Sequence, residues 1–297
     1  MQIIKDPALM TAWSLEQARG GHSIGFVPTM GFFHEGHLRL MQMAGCLCDQ
    51  VVVSLFVNPT QFGPNEDLAA YPRDFEHDCD LADVAGVDVL FAPEVGAMYP
   101  AGAKTTVRVA DLTEHLCGAS RPGHFAGVAT VVAKLFNIVR PQVAVFGRKD
   151  YQQLAVIRRM CIDLNMGIEI IGHPIVREAD GLAMSSRNTY LKDTEREAAL
   201  SLSRSIQLAR KIAAKGERRT AVLGAAVQQE ILSHQSTEID YISFIDQDMQ
   251  PVEFVDKTTV LALAVQIGGR VRLIDNGFVL VDDTTDDTEL QEEKCSV

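Results

Sequence analysis

Short, unbroken apolar runs separated by helix-like stretches constrain this chain more than any other feature. They are SIGFV (Ser23 to Val27), QVVVSLFV (Gln50 to Val57), VDVLFA (Val87 to Ala92), QVAVFG (Gln142 to Gly147) and IEIIGH (Ile168 to His173). A strand with one wet face alternates apolar and polar residues, whereas a continuous run means that both faces are covered. Helical patterns at Gly36 to Cys48 and Val128 to Val139 fall between the runs. This alternation predicts an α/β fold, an open parallel sheet with right-handed crossovers.

Beyond Asn188 the pattern changes. Asp193-Thr194 reads as a cap for a helix whose stripe is Ala199, Leu202, Ile206, Ala209 and Ala213, with Gly216 as its stop. A second helix from about Thr220 to Ser233 precedes the strand-like segments YISFID, TVLALAVQI and VRLIDNGFVL. The expected organisation is a sheet domain over residues 1–176, a smaller α+β lid domain over 177–281, and an acidic tail over 282–297. The tail sets seven acidic residues, Asp282 and Glu293 among them, against Lys294. It reads as a solvated, disordered end without assigned function.

A formal net charge of −12 opposes sequence-independent binding to nucleic acid, which needs Lys and Arg on the phosphates, and opposes an anionic membrane surface equally. The six cysteines, Cys46, Cys48, Cys79, Cys117, Cys161 and Cys295, form no C-x-x-C pair and no zinc spacing. They fit a reducing cytoplasm. Asp6 and Pro7 interrupt the beginning of the chain where a signal peptide needs an apolar segment, and no run is long enough to span a membrane.

Ligands of open parallel sheets collect at the carboxyl ends of the strands, which selects four segments. In PTMGFFHEGH, Gly31 permits close backbone approach, and a helix starting near Gly36 aims unpaired N–H groups at an anion, with His34 and His37 beside it. Asn58, Thr60 and Gln61 supply amide and hydroxyl donors suited to a substrate's hydroxyl and carboxylate groups. Lys149 and Asp150 follow a strand, the one able to neutralise phosphate oxygens and the other to hold a ribose hydroxyl or a metal ion. Ser185, Ser186 and Arg187 follow Gly181 and offer two hydroxyls and a guanidinium fork. Taken singly these are a surface turn or metal pair, an Asn-Pro turn, a solvated turn and a polar linker. Four on one sheet edge point to a nucleoside triphosphate and a small polar acid.

The segments P-T-M-G-x-x-H-x-G-H, V-N-P-T-Q-F-G, R-P-G-H-F-x-G-V, F-G-x-K-D-Y-Q-Q and V-R-E-A-D-G-L-A-M-S-S-R-N, in this order, resemble the pantothenate synthetase (pantoate:β-alanine ligase) family up to about Val281. The resemblance implies a Rossmann-like sheet of the nucleotidylyltransferase type. It also implies ATP-dependent condensation of pantoate with β-alanine through a pantoyl adenylate, releasing pyrophosphate and then AMP. By the same resemblance, Met30, Gly31, His34, His37, Gly147, Lys149, Asp150, Val176, Met184, Ser185, Ser186 and Arg187 serve ATP. Gln61 and Gln153 serve pantoate and β-alanine, and His37, His34, Lys149 and Arg187 are the catalytic set. Magnesium is expected with ATP, and a cytoplasmic homodimer is expected for the protein.

Phe32, Phe33 and Arg39 depart from the family's more common residues, and Arg148 stands where an acidic residue is usual. If Arg148 points at the phosphates it alters ATP binding; if it points to solvent, little changes. The alternatives are another nucleotidylyltransferase of this fold and an inactive nucleotide-binding paralogue.

Overall fold

The computed structural model describes residues 1–64 and 66–280, so the acidic tail expected over 282–297 lies outside the described residues. Two compact units divide the chain. The first comprises Met1–Arg148 and Gln153–His173; the second comprises Lys149–Gln152 and the described residues from Pro174 onward. The chain thus changes unit at Pro174, close to the expected boundary at 176, but four residues inside the sheet domain's sequence group with the second unit.

The first unit is a six-stranded parallel sheet built from β1 (Gln2–Ile4), β2 (Ile24–Thr29), β3 (Gln50–Leu55), β4 (Val89–Phe91), β5 (Val143–Gly147) and β6 (Glu169–His173), in the order β1-β4-β3-β2-β5-β6. The five apolar runs became β2 to β6. The centres of β2 to β5 are sealed on both faces: Phe26, Val52, Val53, Leu90, Ala144 and Val145 are fully buried, as unbroken apolar runs require, whereas the edge strand β6 leaves Ile170 and Ile171 half-buried. Residue Phe26 pairs with Val52 on one side and with Ala144 on the other, so β2 is central. From β2 the chain first builds the sheet one way through β3 and β4, then returns to add β5 and β6 on the opposite side. The carboxyl ends of β2 and β5 therefore flank the reversal of strand order, where ligands of such sheets bind.

The second unit packs the helices Arg196–Ala214 and Thr220–Leu232 on an antiparallel sheet of β7 (Thr237–Ile245), β8 (Val260–Ile267) and β9 (Val271–Phe278). Ala199, Leu202, Ile206, Ala209 and Ala213 are all buried, as their helical stripe implies. Each such Leu or Ile contributes roughly 1.5–3 kcal/mol. Gly216 closes the helix in the left-handed region, at φ +101°. The expected cap is displaced: Asp193–Glu195 form a 3₁₀ turn, and Glu195 takes the cap position of the following helix. Its carboxylate instead accepts from the main chain of Lys192 and pairs with Arg270.

Candidate active site

The loop after β2 is shaped by one carboxylate that gave no sign of itself in the sequence. Asp78, 1% exposed on the helix Phe75–Val84, accepts the Phe32 N–H at 2.8 Å and the Phe33 N–H at 2.6 Å. Burial pushes the Asp78 carboxyl above its ordinary value, and the two main-chain donors pull it back only in part. Gly31 sits at φ +86°, and a Cβ there would lie 2.9 Å from the Asp78 carboxylate and 3.2 Å from Leu55. Phe32, at φ +55°, also occupies the left-handed region. A non-glycine residue there costs on the order of 1–3 kcal/mol, which the Asp78 bonds must offset.

His34 then caps the helix Glu35–Leu47, one residue ahead of the expected start. The His34 main-chain N–H donates to His37 Nδ1 at 3.3 Å, and the two imidazole rings lie 4.1 Å apart at 34°. With Nδ1 accepting, neutral His37 carries its proton on Nε2, the nitrogen suited to donate to an anion at this helix terminus. Arg39, one of the unusual residues, pairs with Glu35 one turn away on the exposed surface, and Phe33 packs into the core.

The loop after β3 uses its amides differently from expectation. Asn58, 1% exposed, donates to the side chain of Gln61 at 3.0 Å and to the Gly127 carbonyl at 3.3 Å. Its oxygen accepts from the Thr60 hydroxyl at 2.9 Å and the Tyr99 hydroxyl at 2.8 Å. Asn58 is thereby corrected from a substrate donor to a brace for Gln61, because its amide donors and its oxygen are engaged inside the protein. Gln61 Nε2 reaches Met30 Sδ at 3.2 Å and so joins the loops after β2 and β3.

Behind Gln61 stands the R-P-G-H-F-x-G-V segment. Arg121 pairs with Glu66 and holds its carboxyl below the usual range, although burial by itself would raise it. The His124 Nδ1–H donates to the Gln61 carbonyl at 2.9 Å, which leaves Nε2 to accept from Arg121 at 3.0 Å. Gly127, on the helix His124–Val139, passes so close that a Cβ would sit 2.4 Å from the Thr60 carbonyl oxygen and 2.7 Å from the Gln61 nitrogen. At the end of β5, Gly147 is half-buried, as is Gln153 on the following helix. Arg148 is anchored on the sheet, its Nε donating to the Gly172 carbonyl of β6 at 2.9 Å.

In the second unit, Lys149 Nζ lies 3.7 Å from the Asp150 carboxylate. The V-R-E-A-D-G-L-A-M-S-S-R-N segment folds on itself. Arg177 and Ala183 pair as a bridge, the Met184 N–H donates to the Val176 carbonyl at 3.0 Å, and Gly181 turns the chain at φ +98°. Its charges hold this hairpin in place. Arg177 makes a two-pronged pair with Asp275, at 2.8 and 3.0 Å, while Arg196 binds Glu178 and Asp180, and Asn188 donates to Glu178 at 2.6 Å. Arg196 holds the Asp180 carboxyl below its ordinary value. Ser185 then caps the 3₁₀ turn Ser186–Tyr190, its hydroxyl accepting the Arg187 N–H at 3.3 Å.

The structure thus groups Met30, Gly31, His34, His37 and Gln61 within the first unit through the contacts above, with Gly147 and Gln153 at and beyond the carboxyl end of β5. It places Lys149, Asp150, Val176, Met184, Ser185, Ser186 and Arg187 in the second. Among the described residues no group of three or more His, Cys, Asp or Glu side chains could hold a metal ion. No described helix is long and apolar enough to cross a membrane.

Known proteins share this sequence pattern and this fold. The family model described as pantoate-beta-alanine ligase matches residues 2–278. The pantothenate synthetase of Heliobacterium modesticaldum is 60% identical over 95% of this chain and 100% of its own length, and that of Geobacter sulfurreducens is 55% identical over 93% and 98%. Among solved structures, pantothenate synthetase from Thermus thermophilus superposes with a TM-score of 0.89 at 43% identity, covering 95% of this chain and all of that one. Pantoate-beta-alanine ligase from Francisella tularensis, complexed with beta-gamma ATP and beta-alanine, gives a TM-score of 0.77 at 32% identity, covering 95% and 99%.

Proposed function

The chain belongs to the pantoate-β-alanine ligase family and is an ATP-dependent ligase that joins pantoate to β-alanine; from that premise we propose how its residues divide the work. In the first step a pantoate carboxylate oxygen attacks the α-phosphorus of ATP, the bond to pyrophosphate breaks, and pantoyl adenylate forms. In the second, the β-alanine amine attacks the acyl carbon, loses a proton, and AMP leaves. Activation is needed because a carboxylate is a poor electrophile and an acyl phosphate anhydride a good one.

His37 donates from Nε2 to a phosphate oxygen as charge develops there, with His34 beside it at the helix terminus. Met30, Gly31 and Gly147 line the nucleotide site at the sheet's reversal point. Lys149, Ser185, Ser186 and Arg187 neutralise phosphate oxygens, with Arg187 offering two N–H groups in a fork. Val176 and Met184 border the nucleotide. Gln61 and Gln153 hold the pantoate hydroxyl and carboxylate groups, together with β-alanine when it enters. Arg148, engaged with β6, is left out of the phosphate group.

Magnesium would come with the triphosphate and would supply charge neutralisation. Phosphate oxygens and water would hold most of its coordination sphere, with the Asp150 carboxylate beside Lys149 available to it. A homodimer and a reducing, cytoplasmic setting complete the reading. The scattered spacing of the cysteines, with no C-x-x-C pair, supports the latter.

The observation that carries this assignment is the hydrogen bond from the His34 N–H to His37 Nδ1, on a loop held by Asp78. In single-turnover adenylation, His37→Ala should lower the rate constant by about 10²–10³-fold, while ATP affinity changes only a few-fold. An unchanged rate constant removes His37 from the chemistry.

A further inference from the structure

Asn276 and Asp275 are neighbours on β9, an edge strand of the small sheet, and both are buried, 7% and 2% exposed. Asn276 Nδ2 donates to the Lys149 carbonyl at 2.8 Å. Asp275 accepts both Arg177 nitrogens and, at 2.8 Å, the Asn276 N–H. Arg177 forms the base of the hairpin that leads into Ser185-Ser186-Arg187, and its NH1 also donates to the Gly181 carbonyl at 3.0 Å. Two segments far apart in sequence, Lys149-Asp150 and the Ser185–Arg187 turn, are therefore registered to a single strand. Lys149–Gln152 accordingly group with the second unit, where Tyr151 also packs edge-on against Phe278 with ring centres 6.4 Å apart.

We propose that Asn276 is a positioning residue for adenylation. Its amide fixes the main chain of Lys149 and, with Asp275, makes Lys149 and the Ser185–Arg187 turn one preformed phosphate-binding group. The inference rests on the assignment of Lys149 to the ATP phosphates. An ammonium is a point charge on a flexible stem, so the direction it takes depends on how firmly its main chain is held. Misplacing a charged group by about 1 Å in a reaction that works by orientation costs up to roughly 100-fold. β9 takes this role because its buried amide and carboxylate would be costly without partners, and the partners they find belong to the two phosphate segments.

The test separates the two half-reactions. Pantoate-dependent exchange of labelled pyrophosphate into ATP reads the first, and transfer from synthetic pantoyl adenylate to β-alanine reads the second. Asn276→Ala should slow exchange by about 10- to 100-fold and leave transfer within about twofold, because only the first step moves a phosphate chain. Asn276→Asp, which keeps the shape but removes the donor, should lose as much. In a Lys149→Ala background, Asn276→Ala should add less than about twofold, since coupled residues are not additive. Equal losses in both half-reactions, or a full additional loss without Lys149, would overturn the proposal. If Lys149→Ala leaves exchange unchanged, the assignment of Lys149 itself fails and the proposal falls with it. If Lys149→Ala abolishes exchange while Asn276→Ala does not, Lys149 stands and Asn276 alone is excluded.

Discussion

The loop after β2 and the hairpin before Ser185 both carry residues assigned to ATP, but they are held by opposite kinds of force. The first is fixed by main-chain geometry. A buried carboxylate accepts two backbone N–H groups, a glycine turns where a Cβ has no room, and amides and a histidine brace the neighbouring Gln61 turn. The second is fixed by arginine-carboxylate pairs, Arg177 with Asp275 and Arg196 with Glu178 and Asp180. The contrast separates what each region tolerates. Close backbone packing is sensitive to added volume, whereas paired charges accept changes of shape, and the carboxylates in the two regions answer to acid with opposite sign.

The largest expected effect is on the charged side. Asp275→Ala leaves the half-buried Arg177 guanidinium without its two-pronged partner and should destabilise the protein by about 3 kcal/mol, the lower end of what removing one member of a buried pair costs. Denaturant unfolding checks this. A loss under 1 kcal/mol would mean that the hairpin is held mainly by Arg196 and Asn188. Next comes the backbone side. Gly127→Ala places a methyl against the Thr60 carbonyl and should cost roughly 1–3 kcal/mol. By pushing Gln61 out of place it should raise the KM for pantoate while leaving that for ATP within about twofold. If both constants rise together, the helix rather than the Gln61 turn has absorbed the strain.

The smallest effect sharpens the comparison by its sign. Burial raises the Asp78 carboxyl above its ordinary 3.8, so its contribution to stability is fully present below that value and is lost as pH rises through the higher folded value. Asp180 is lowered from the same 3.8, chiefly by the hydrogen bonds from Arg196, so its contribution is present above that value and is lost as pH falls through the lower folded one. Amide hydrogen exchange, corrected for its intrinsic rate, should show protection at Phe32 and Phe33 moving opposite to that at Leu182 and Met184 on acidification. Parallel changes at the two places would erase the distinction drawn between them.

How much of this the sequence discloses follows the same division. The core strands were legible because a run sealed on both faces has to be apolar throughout. β1 was not, since three residues with two of them exposed carry no pattern. β7 starts at Thr237, ahead of the expected Tyr241, because its first residues alternate between half-buried and exposed and a register shift falls between Ile239 and Tyr241. Residues assigned to ligands sit in dense local motifs and could be picked out. Their supports could not: Asp78 stands 45 positions from Phe33, and an acid on a helix is ordinary until the fold shows what it faces. Asn58 misled for the reverse reason, because an amide in a loop looks available until its partners are in place. Arg148 reads in the sequence as a question about phosphates, and its bond to the neighbouring strand carries no sequence signal.

That strand lies at the margin of its sheet, and its outward carbonyls are already taken. Arg148 covers Gly172, and Arg158 covers Ile170 with contacts of 3.3 and 3.4 Å. A bare margin is a template on which another polypeptide can add a strand, the first move toward aggregation. Here a newcomer would have to dislodge two guanidinium groups before forming its first rung, so copies of the protein meeting along this side touch through side chains instead of extending a common ladder.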